Sequence, residues 1–259
     1  MESNPSSIQS LQRAFSIVEI LSDHPHGMGL TELAVSMNLS KSTVHRFLAS
    51  LVALGYVFKS PADKYHLTLR LYEIGSRSVK SMDIMEIARP LLDRLAEDVG
   101  MTAHLATLSD AHVLYLYKKS ASSLSINTRS FIGSSAPVYC TGIGKAIMAY
   151  RDGERALQIW NRQNIVQYTA NTITNWQDFQ LELERVRAAG YAVDHEEYEL
   201  GVCCIALPVF DYLGAAKYAV SLTFSKTRLN SSFVAEKISA LENVARQLSA
   251  FCGAGSDGS

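Results

Sequence analysis

The stretch NLSKSTVHRFLASLVALGYV, residues 38–57, decides how the first part of the chain folds. Its apolar side chains recur at helical spacing and form one stripe, made of Val44, Phe47, Leu48 and Leu51. Ser40 precedes the stripe, where its hydroxyl can accept hydrogen bonds from the free amides of a first helical turn. Gly55 follows the stripe and is typical of a helix end. The pattern predicts one helix between these two residues.

The opposite side of this helix is polar, and its polar side chains lie near the N-terminus. Ser42, His45, Arg46 and Ala49 share the spacing of the apolar stripe but face the other way. A helix fits the major groove of B-DNA, and side chains near its N-terminus can then reach base edges and phosphates. A solvated polar face is the commoner explanation for a single amphipathic helix, so the flanking sequence has to decide.

The flanking segments favour the DNA-binding interpretation. Two helices are predicted ahead of this stretch, over 11–22 and over 30–38. A hairpin is predicted after Gly55, because residues 56–60 and 64–69 alternate apolar and polar side chains around the turn Pro-Ala-Asp. This order is a winged helix-turn-helix. The candidate DNA contacts are Lys41, Ser42, Thr43, His45 and Arg46 on the helix, with Lys59 and Lys64 on the hairpin.

Composition sets limits on the class of protein. The 259 residues carry a net charge of −1, which argues against a general polyanion binder. Residues 38–80 nevertheless hold seven basic and two acidic side chains, a local positive excess. No apolar run is long enough to span a membrane, and the N-terminus lacks the features of a signal peptide. We therefore expect a cytoplasmic protein with reduced cysteines, since their spacing matches no disulfide, metal or redox motif.

Beyond about residue 83 the pattern changes from helical to mixed, so we expect an α+β fold. Predicted strands cover 102–109, 112–120, 125–131, 191–197, 203–211 and 215–225. Predicted helices cover 83–100, 142–150, part of 172–190 and 232–251. We expect a DNA-binding domain over 8–68, a linker helix over 69–82, a second domain over 83–252 and a disordered tail over 253–259.

One loop of the second domain suggests a ligand. Gly142 and Gly144 begin the predicted helix over 142–150, and glycine lets the backbone approach a bound molecule. The free amides and positive dipole end of a helix N-terminus attract a carboxylate or phosphate. The glycines could equally serve only a tight turn from loop to helix, and the residues alone leave both interpretations open.

Taken together, five segments make the chain resemble the IclR family of bacterial transcription regulators. They are LQRAFSIVEIL (11–21), LTELAVSMNLSKSTVHRFLASLVALGYV (30–57), KYHLTLRLYEIG (64–75), YCTGIGKAIMAY (139–150) and GYAVDHEEYELGVCCIALPVFD (190–211). The likeness is greatest to regulators of sugar and sugar-acid catabolism. It implies a winged-helix domain, a linker helix, a GAF-like effector domain, and dimers that pair into tetramers. The family contains repressors and activators, and we expect a repressor.

The resemblance also implies an effector pocket for a small carboxylate, such as a sugar acid or keto acid. The residues at matching positions are Cys140, Gly142, Ile143, Asp194, Cys204, Ser221 and Thr223. Asp194 can accept hydrogen bonds from ligand hydroxyls, but it would repel a further carboxylate unless it were protonated or paired. We predict no metal and no cofactor.

Two other classes of function stay open at this point. A redox-responsive regulator would use Cys140 or Cys204, and would need an exposed thiol of low pKa. An enzyme acting on small acids, with an accessory DNA-binding head, would need a nucleophile, a base and a group that orients the base. No known signature supplies that set here. A metal site built from Cys140, His195 and Cys204 is disfavoured by their spacing.

Overall fold

The computed structural model describes residues 9–80, 84–121 and 128–254, which divide into two compact units with the boundary between Ser81 and Met82. The predicted change of character near residue 83 coincides with this division, although residues 81–83 themselves lie outside the described part.

The first unit is a winged helix-turn-helix. Its elements are α1 (Gln9–Ser22), β1 (Met28–Gly29), α2 (Leu30–Ser36), α3 (Lys41–Ala53), β2 (Val57–Lys59), β3 (Lys64–Leu67) and α4 (Arg70–Lys80). Strand β3 lies between β1 and β2 in an antiparallel sheet. The hairpin and the helices are those that the sequence predicts. The two-residue strand β1 is not, because it is too short to show an alternation.

Helix α3 begins and ends as the sequence predicts. The hydroxyl of Ser40 accepts a hydrogen bond from the amide of Thr43 at 3.2 Å. Gly55 has a φ of +78°, a conformation that glycine adopts without strain. Val44 and Leu48 are wholly buried, in a core shared with α1, α2 and β3. The apolar stripe thus fixes α3 to the unit and turns its other side to solvent.

The second unit is built on an antiparallel sheet with helices packed against it. Its helices are α5 (Ile84–Val99), α6 (Gly142–Met148), α7 (Gly153–Asn161), α8 (Trp176–Ala189) and α9 (Ser231–Phe251), with a 3₁₀ turn at Lys226–Arg228. Its strands are β4 (Thr102–Ser109), β5 (His112–Ser120), β6 (Ser135–Pro137), β7 (Ala192–His195), β8 (Val202–Phe210) and β9 (Ala216–Ser225). Within the described residues the strand order is β6-β5-β4-β9-β8-β7. The α+β class is confirmed.

The structure corrects three details of the sequence analysis. The predicted strand over 125–131 is wrong for 128–131, which are irregular, because the carbonyl of Ser130 accepts from the Lys118 ammonium instead of a strand neighbour. Residues 125–127 lie outside the described part. The predicted tail begins too early, since Gly253 forms a bridge with Asp211. The linker helix begins at Arg70, one residue later than predicted, and is described as far as Lys80; residues 81–82 lie outside the described part.

Small side chains let α6 lie close to the sheet. Ala106, Ala206 and Ala219 line the core beneath α6. A Cβ atom added to Gly144 would lie 2.2 Å from the backbone oxygen of Val138. Close packing of the loop before α6 therefore requires glycine at position 144. The tight turn from loop to helix explains this residue without a ligand.

This packing gives a prediction. We expect Gly144→Ala to lower the free energy of unfolding by about 1–3 kcal/mol, because backbone atoms must move to admit the methyl group. Gly142→Ala is the matched control, since a Cβ there would lie 3.4 Å from its nearest neighbour, Ala206 Cβ. Urea unfolding of both variants is the measurement, and an equal effect of the two substitutions would contradict the explanation.

Candidate DNA-binding surface and ligand pocket

The exposed face of α3 carries free basic and polar side chains. Lys41, His45 and Arg46 are exposed. Over residues 9–80, no hydrogen bond or ion pair engages their side chains, as far as the structure describes that segment. A guanidinium at this position can form two parallel hydrogen bonds to a guanine edge or to a phosphate.

Two predicted contacts, Ser42 and Thr43, also belong to the helix cap. The hydroxyl of Ser40 lies 3.0 Å from that of Ser42 and 2.8 Å from that of Thr43. Thr43 is half-buried, whereas Ser42 is exposed. The cluster fixes the position of the first turn, so these hydroxyls are oriented before any partner arrives.

The hairpin places its lysines differently. The ammonium of Lys59 lies 2.5 Å from a carboxylate oxygen of Asp63 and 5.6 Å from the centre of the Tyr65 ring. Lys64 is half-buried in β3. Lys59 must therefore exchange or share its carboxylate partner to bind a phosphate, while Arg46 need not.

The pocket of the second unit is formed by one face of the sheet. Asp194, Cys204 and Thr223 lie side by side across β7, β8 and β9, and Ser221 lies beside His104 in the adjacent row. These residues share a face because side chains of a strand alternate between its two sides. The predicted ligand residues on the strands are thus brought together.

The start of α6 closes one side of this pocket. Gly142 and Ile143 line the cavity, and Thr141 caps the helix by accepting from the amide of Gly144 at 3.2 Å. The space open to the centre of a water molecule is about 40 Å³. This volume admits a few water molecules or a compact ligand.

Asp194 is buried in the pocket, and its carboxyl oxygen accepts from the amide of Glu197 at 2.8 Å. Burial and the neighbouring Glu197 carboxylate raise the pKa of Asp194 to about 8, although Lys145 and nearby amides act in the opposite direction. Asp194 is therefore largely protonated at neutral pH. A protonated carboxyl can donate a hydrogen bond to an anion, which removes the repulsion expected from sequence.

A buried ion network supports this wall. The ammonium of Lys145, which is only 1% exposed, contacts Glu197 at 2.5 Å and Glu182 at 2.9 Å, and it donates to the carbonyl of Val193 at 2.6 Å. Burial lowers the pKa of Lys145, but the two carboxylates outweigh it and raise that pKa. The sequence analysis missed this network, because its members come from segments far apart in the chain.

The structure adds cavity residues that sequence reasoning did not select. They are His104, Tyr115, Thr128, Arg129, Ser130, Ser134, Ser135, Ala136, Thr141, Tyr198, Glu199 and Val202. Arg129 is exposed at the rim, with its guanidinium carbon 5.9 Å from the centre of the Tyr198 ring. The alternation of side chains along β4 could have indicated His104, because it places His104 and Ala106 on the same face of the sheet.

Cys140 is not brought to the cavity. It is wholly buried in the core between the sheet and α6, and burial raises the pKa of its thiol. Burial also raises the pKa of Cys203 to about 11 and that of Cys204 well above its usual value. A reactive thiolate is thus disfavoured at all three positions. Within the described residues no group of His, Cys, Asp or Glu has the arrangement of a metal site.

Comparison with known proteins identifies the family. The profile "IclR helix-turn-helix domain" matches residues 10–61, and the profile "Bacterial transcriptional regulator IclR C-terminal" matches residues 76–250. The chain belongs to the IclR family of bacterial transcriptional regulators. It is thus a regulator with a DNA-binding unit and a family-specific C-terminal unit.

Individual relatives agree with this assignment. The DNA-binding transcriptional repressor YiaJ of Escherichia coli is 39% identical over 228 residues, covering 87% of this chain and 81% of YiaJ. The regulator KdgR of the same organism is 34% identical over 254 residues, covering 98% of this chain and 96% of KdgR.

Solved structures show the same architecture. The IclR regulator of Alicyclobacillus acidocaldarius superposes with a TM-score of 0.83 at 28% identity, over 95% of this chain and all of that one. Thermotoga maritima IclR gives a TM-score of 0.76 at 28% identity with the same coverage. None of the helices in residues 9–80, 84–121 and 128–254 has the length and apolarity that crossing a membrane requires.

Proposed function

We propose that this IclR-type regulator represses a carbon-catabolism operon, and that a small carboxylate bound in the pocket of the second unit changes its affinity for operator DNA. The polar pocket around the protonated Asp194 carries this proposal. A cytoplasmic location is part of this proposal, because a bacterial regulator must reach operator DNA there. The resemblance to sugar-acid regulators, and the 39% identity to the repressor YiaJ, support repression.

The DNA contact is proposed on α3 and on the wing, which is the hairpin of β2 and β3. Arg46 and His45 present unpaired donors on the exposed face, and Lys41 lies at the helix N-terminus, which favours a phosphate. Ser42 and Thr43 complete this first turn, while Lys59 and Lys64 lie on the wing beside it. One such unit covers few base pairs, so affinity requires two units on a two-fold site.

A homodimer, and the pairing of two dimers into a tetramer that the family resemblance implies, are therefore part of the proposal. Exposed apolar side chains on α1 and α4, two helices outside the proposed DNA contact, support the homodimer. Leu11 and Phe15 of α1 and Tyr72 of α4 are more than half exposed. Burying such side chains against a second copy would bring two heads together at a fixed spacing.

The effector is proposed to be compact and anionic. The amides of Gly142 and Ile143, the protonated Asp194 and the hydroxyls of Ser221 and Thr223 all border the same small cavity. Cys204, whose sulfur lies 3.1 Å from the Thr223 hydroxyl, completes the floor. Hydroxyl or keto groups suit these polar partners, and the volume favours the smaller sugar acids and keto acids. Cys140, which lies in the core, is no longer proposed as a direct contact.

The DNA-binding half of the proposal predicts unequal effects of two basic residues. We expect Arg46→Ala to weaken specific binding by about 1–3 kcal/mol and to relax sequence preference, since a bidentate base contact is lost. Lys59→Ala should weaken specific and random duplexes alike. The measurement is the dissociation constant on a duplex selected from a random library, and on random DNA. Equal losses of Arg46→Ala on both DNAs would contradict the assigned role.

The effector half predicts a selective loss of response. A thermal-shift screen of sugar acids, keto acids and aromatic acids supplies the ligand. Asp194→Ala should raise the ligand concentration needed to change operator affinity by about tenfold or more, because one hydrogen bond to an anion is lost. Operator affinity without ligand should be unchanged, since Asp194 lies in the second unit.

Glu242→Ala, an exposed substitution on α9, is the matched control and should respond as the wild type does. If Asp194→Ala responds at the same ligand concentration as this control, Asp194 does not contact the effector. If no ligand changes operator affinity of the wild type, the regulatory proposal itself fails.

A further inference from the structure

A row of polar side chains crosses three strands at the edge of the pocket. Ser221 of β9 lies opposite His104 of β4, and His104 lies opposite Lys118 of β5. Thr128 and Ser130, in the segment after β5, lie above this row and line the same cavity. These five side chains form one continuous chain of hydrogen bonds.

The distances along this chain are those of hydrogen bonds. The ammonium of Lys118 donates to the hydroxyl of Thr128 at 2.9 Å, and the Thr128 and Ser130 hydroxyls are 2.8 Å apart. The Ser130 hydroxyl lies 2.9 Å from Nε2 of His104. On the far side of the ring, Nδ1 lies 3.4 Å from the hydroxyl of Ser221.

The direction of donation follows from the first member of the chain. An ammonium has donors and no acceptor, so Thr128 accepts from Lys118, and its own hydrogen is available for donation to Ser130. Ser130 then donates its hydrogen to Nε2 of His104. In this arrangement the hydroxyls of Thr128 and Ser130 each use their hydrogen and a lone pair within the row. Lys118 also donates to the carbonyl of Ser130 at 2.6 Å, which holds this segment in place.

The ring of His104 is neutral, so one of its nitrogens accepts a hydrogen bond while the other donates one. Burial and the nearby Lys118 charge lower the pKa of His104 to about 3. A neutral imidazole carries one hydrogen, and with Nε2 accepting from Ser130 that hydrogen must be on Nδ1. Nδ1 therefore donates to Ser221, and the hydrogen of Ser221 is left to point into the cavity.

We propose that the chain from Lys118 through Thr128, Ser130 and His104 fixes Ser221 as a hydrogen-bond donor to the effector, so that the pocket selects a carboxylate or carbonyl oxygen at that position and rejects a group that can only donate. This selectivity rests on the proposed function of the pocket. The arrangement of hydrogens within the chain does not depend on it, and can be measured on the protein alone. Lys118, Thr128, Ser130 and His104 are positioning residues in this scheme.

The first test reads the tautomer of His104 directly. Solid-state ¹⁵N NMR of the full-length protein, labelled at its seven histidines, distinguishes Nδ1–H from Nε2–H. The His104→Gln variant assigns the His104 signals. We expect Nδ1–H alone in the wild type. Thr128→Val should abolish this single form, because nothing then directs the Ser130 hydrogen toward the ring. Thr128→Ser keeps a hydroxyl at this position and should keep the single Nδ1–H form of His104. An Nε2–H ring in the wild type would overturn the inference.

The second test measures selectivity by calorimetry with two probes of the same carbon skeleton, pyruvate and L-alanine. Pyruvate offers a carbonyl oxygen where L-alanine offers an ammonium group. We expect pyruvate to bind at least about tenfold more tightly, and to lose about fivefold in affinity in Thr128→Val but not in Thr128→Ser, as expected for one misdirected hydrogen bond. This pair of variants leaves the Lys118 charge unchanged.

Equal binding of both probes, or equal pyruvate affinity in both Thr128 variants, would contradict the proposed selection. If neither probe binds the wild type while His104 is Nδ1–H, the small-acid effector of the proposed function fails and the directed chain stands. If pyruvate binds and His104 is Nε2–H, the proposed function stands and the directed chain fails.

Discussion

The ammonium of Lys145 is buried, and its three contacts tie α6 and the segment containing Asp194, which both contribute to the pocket wall, to helix α8. It belongs to α6, it contacts Glu182 of α8, and it reaches Val193 and Glu197 at the two ends of the segment containing Asp194. A buried charge without such partners costs several kcal/mol, so these elements are held at the spacing that the ammonium requires. The geometry of the pocket follows from this constraint.

The same network explains why the proposed anionic effector would meet little negative charge in the pocket. The charge of Lys145 is engaged by Glu197 and Glu182, so too little positive charge remains to ionise Asp194, which is wholly buried beside them. Asp194 holds its proton near neutral pH and presents a donor to the cavity. With His104 also neutral, the floor carries hydrogen-bonding groups and little net charge. A ligand of this kind alters DNA binding only if it prefers one arrangement of the DNA-binding heads.

The sequence could predict those parts of the fold that depend on local patterns. The α3 helix, its Ser40 cap and the Gly55 end follow from apolar spacing and from the chemistry of helix ends. Strands β4 and β5 follow from alternation, and the family resemblance located Asp194, Cys204, Ser221 and Thr223. The role of His104 depends on the register between β4 and β9, which the sequence does not show. The Lys145 network and the segment Thr128–Ser130 likewise depend on contacts between distant parts of the chain.

Burial keeps Asp194 uncharged in the folded protein at neutral pH, and the pH dependence of folding stability measures this property. An aspartate whose pKa rises from 3.8 unfolded to about 8 folded contributes stability at low pH that is lost as pH rises toward 8. Asp194→Asn keeps the acceptor oxygen and cannot titrate. Urea unfolding between about pH 5 and pH 8 should show the stability of the wild type, relative to this variant, falling by up to about 1.4 kcal/mol per pH unit. A constant difference across this range, or a relative gain by the wild type, would contradict the account.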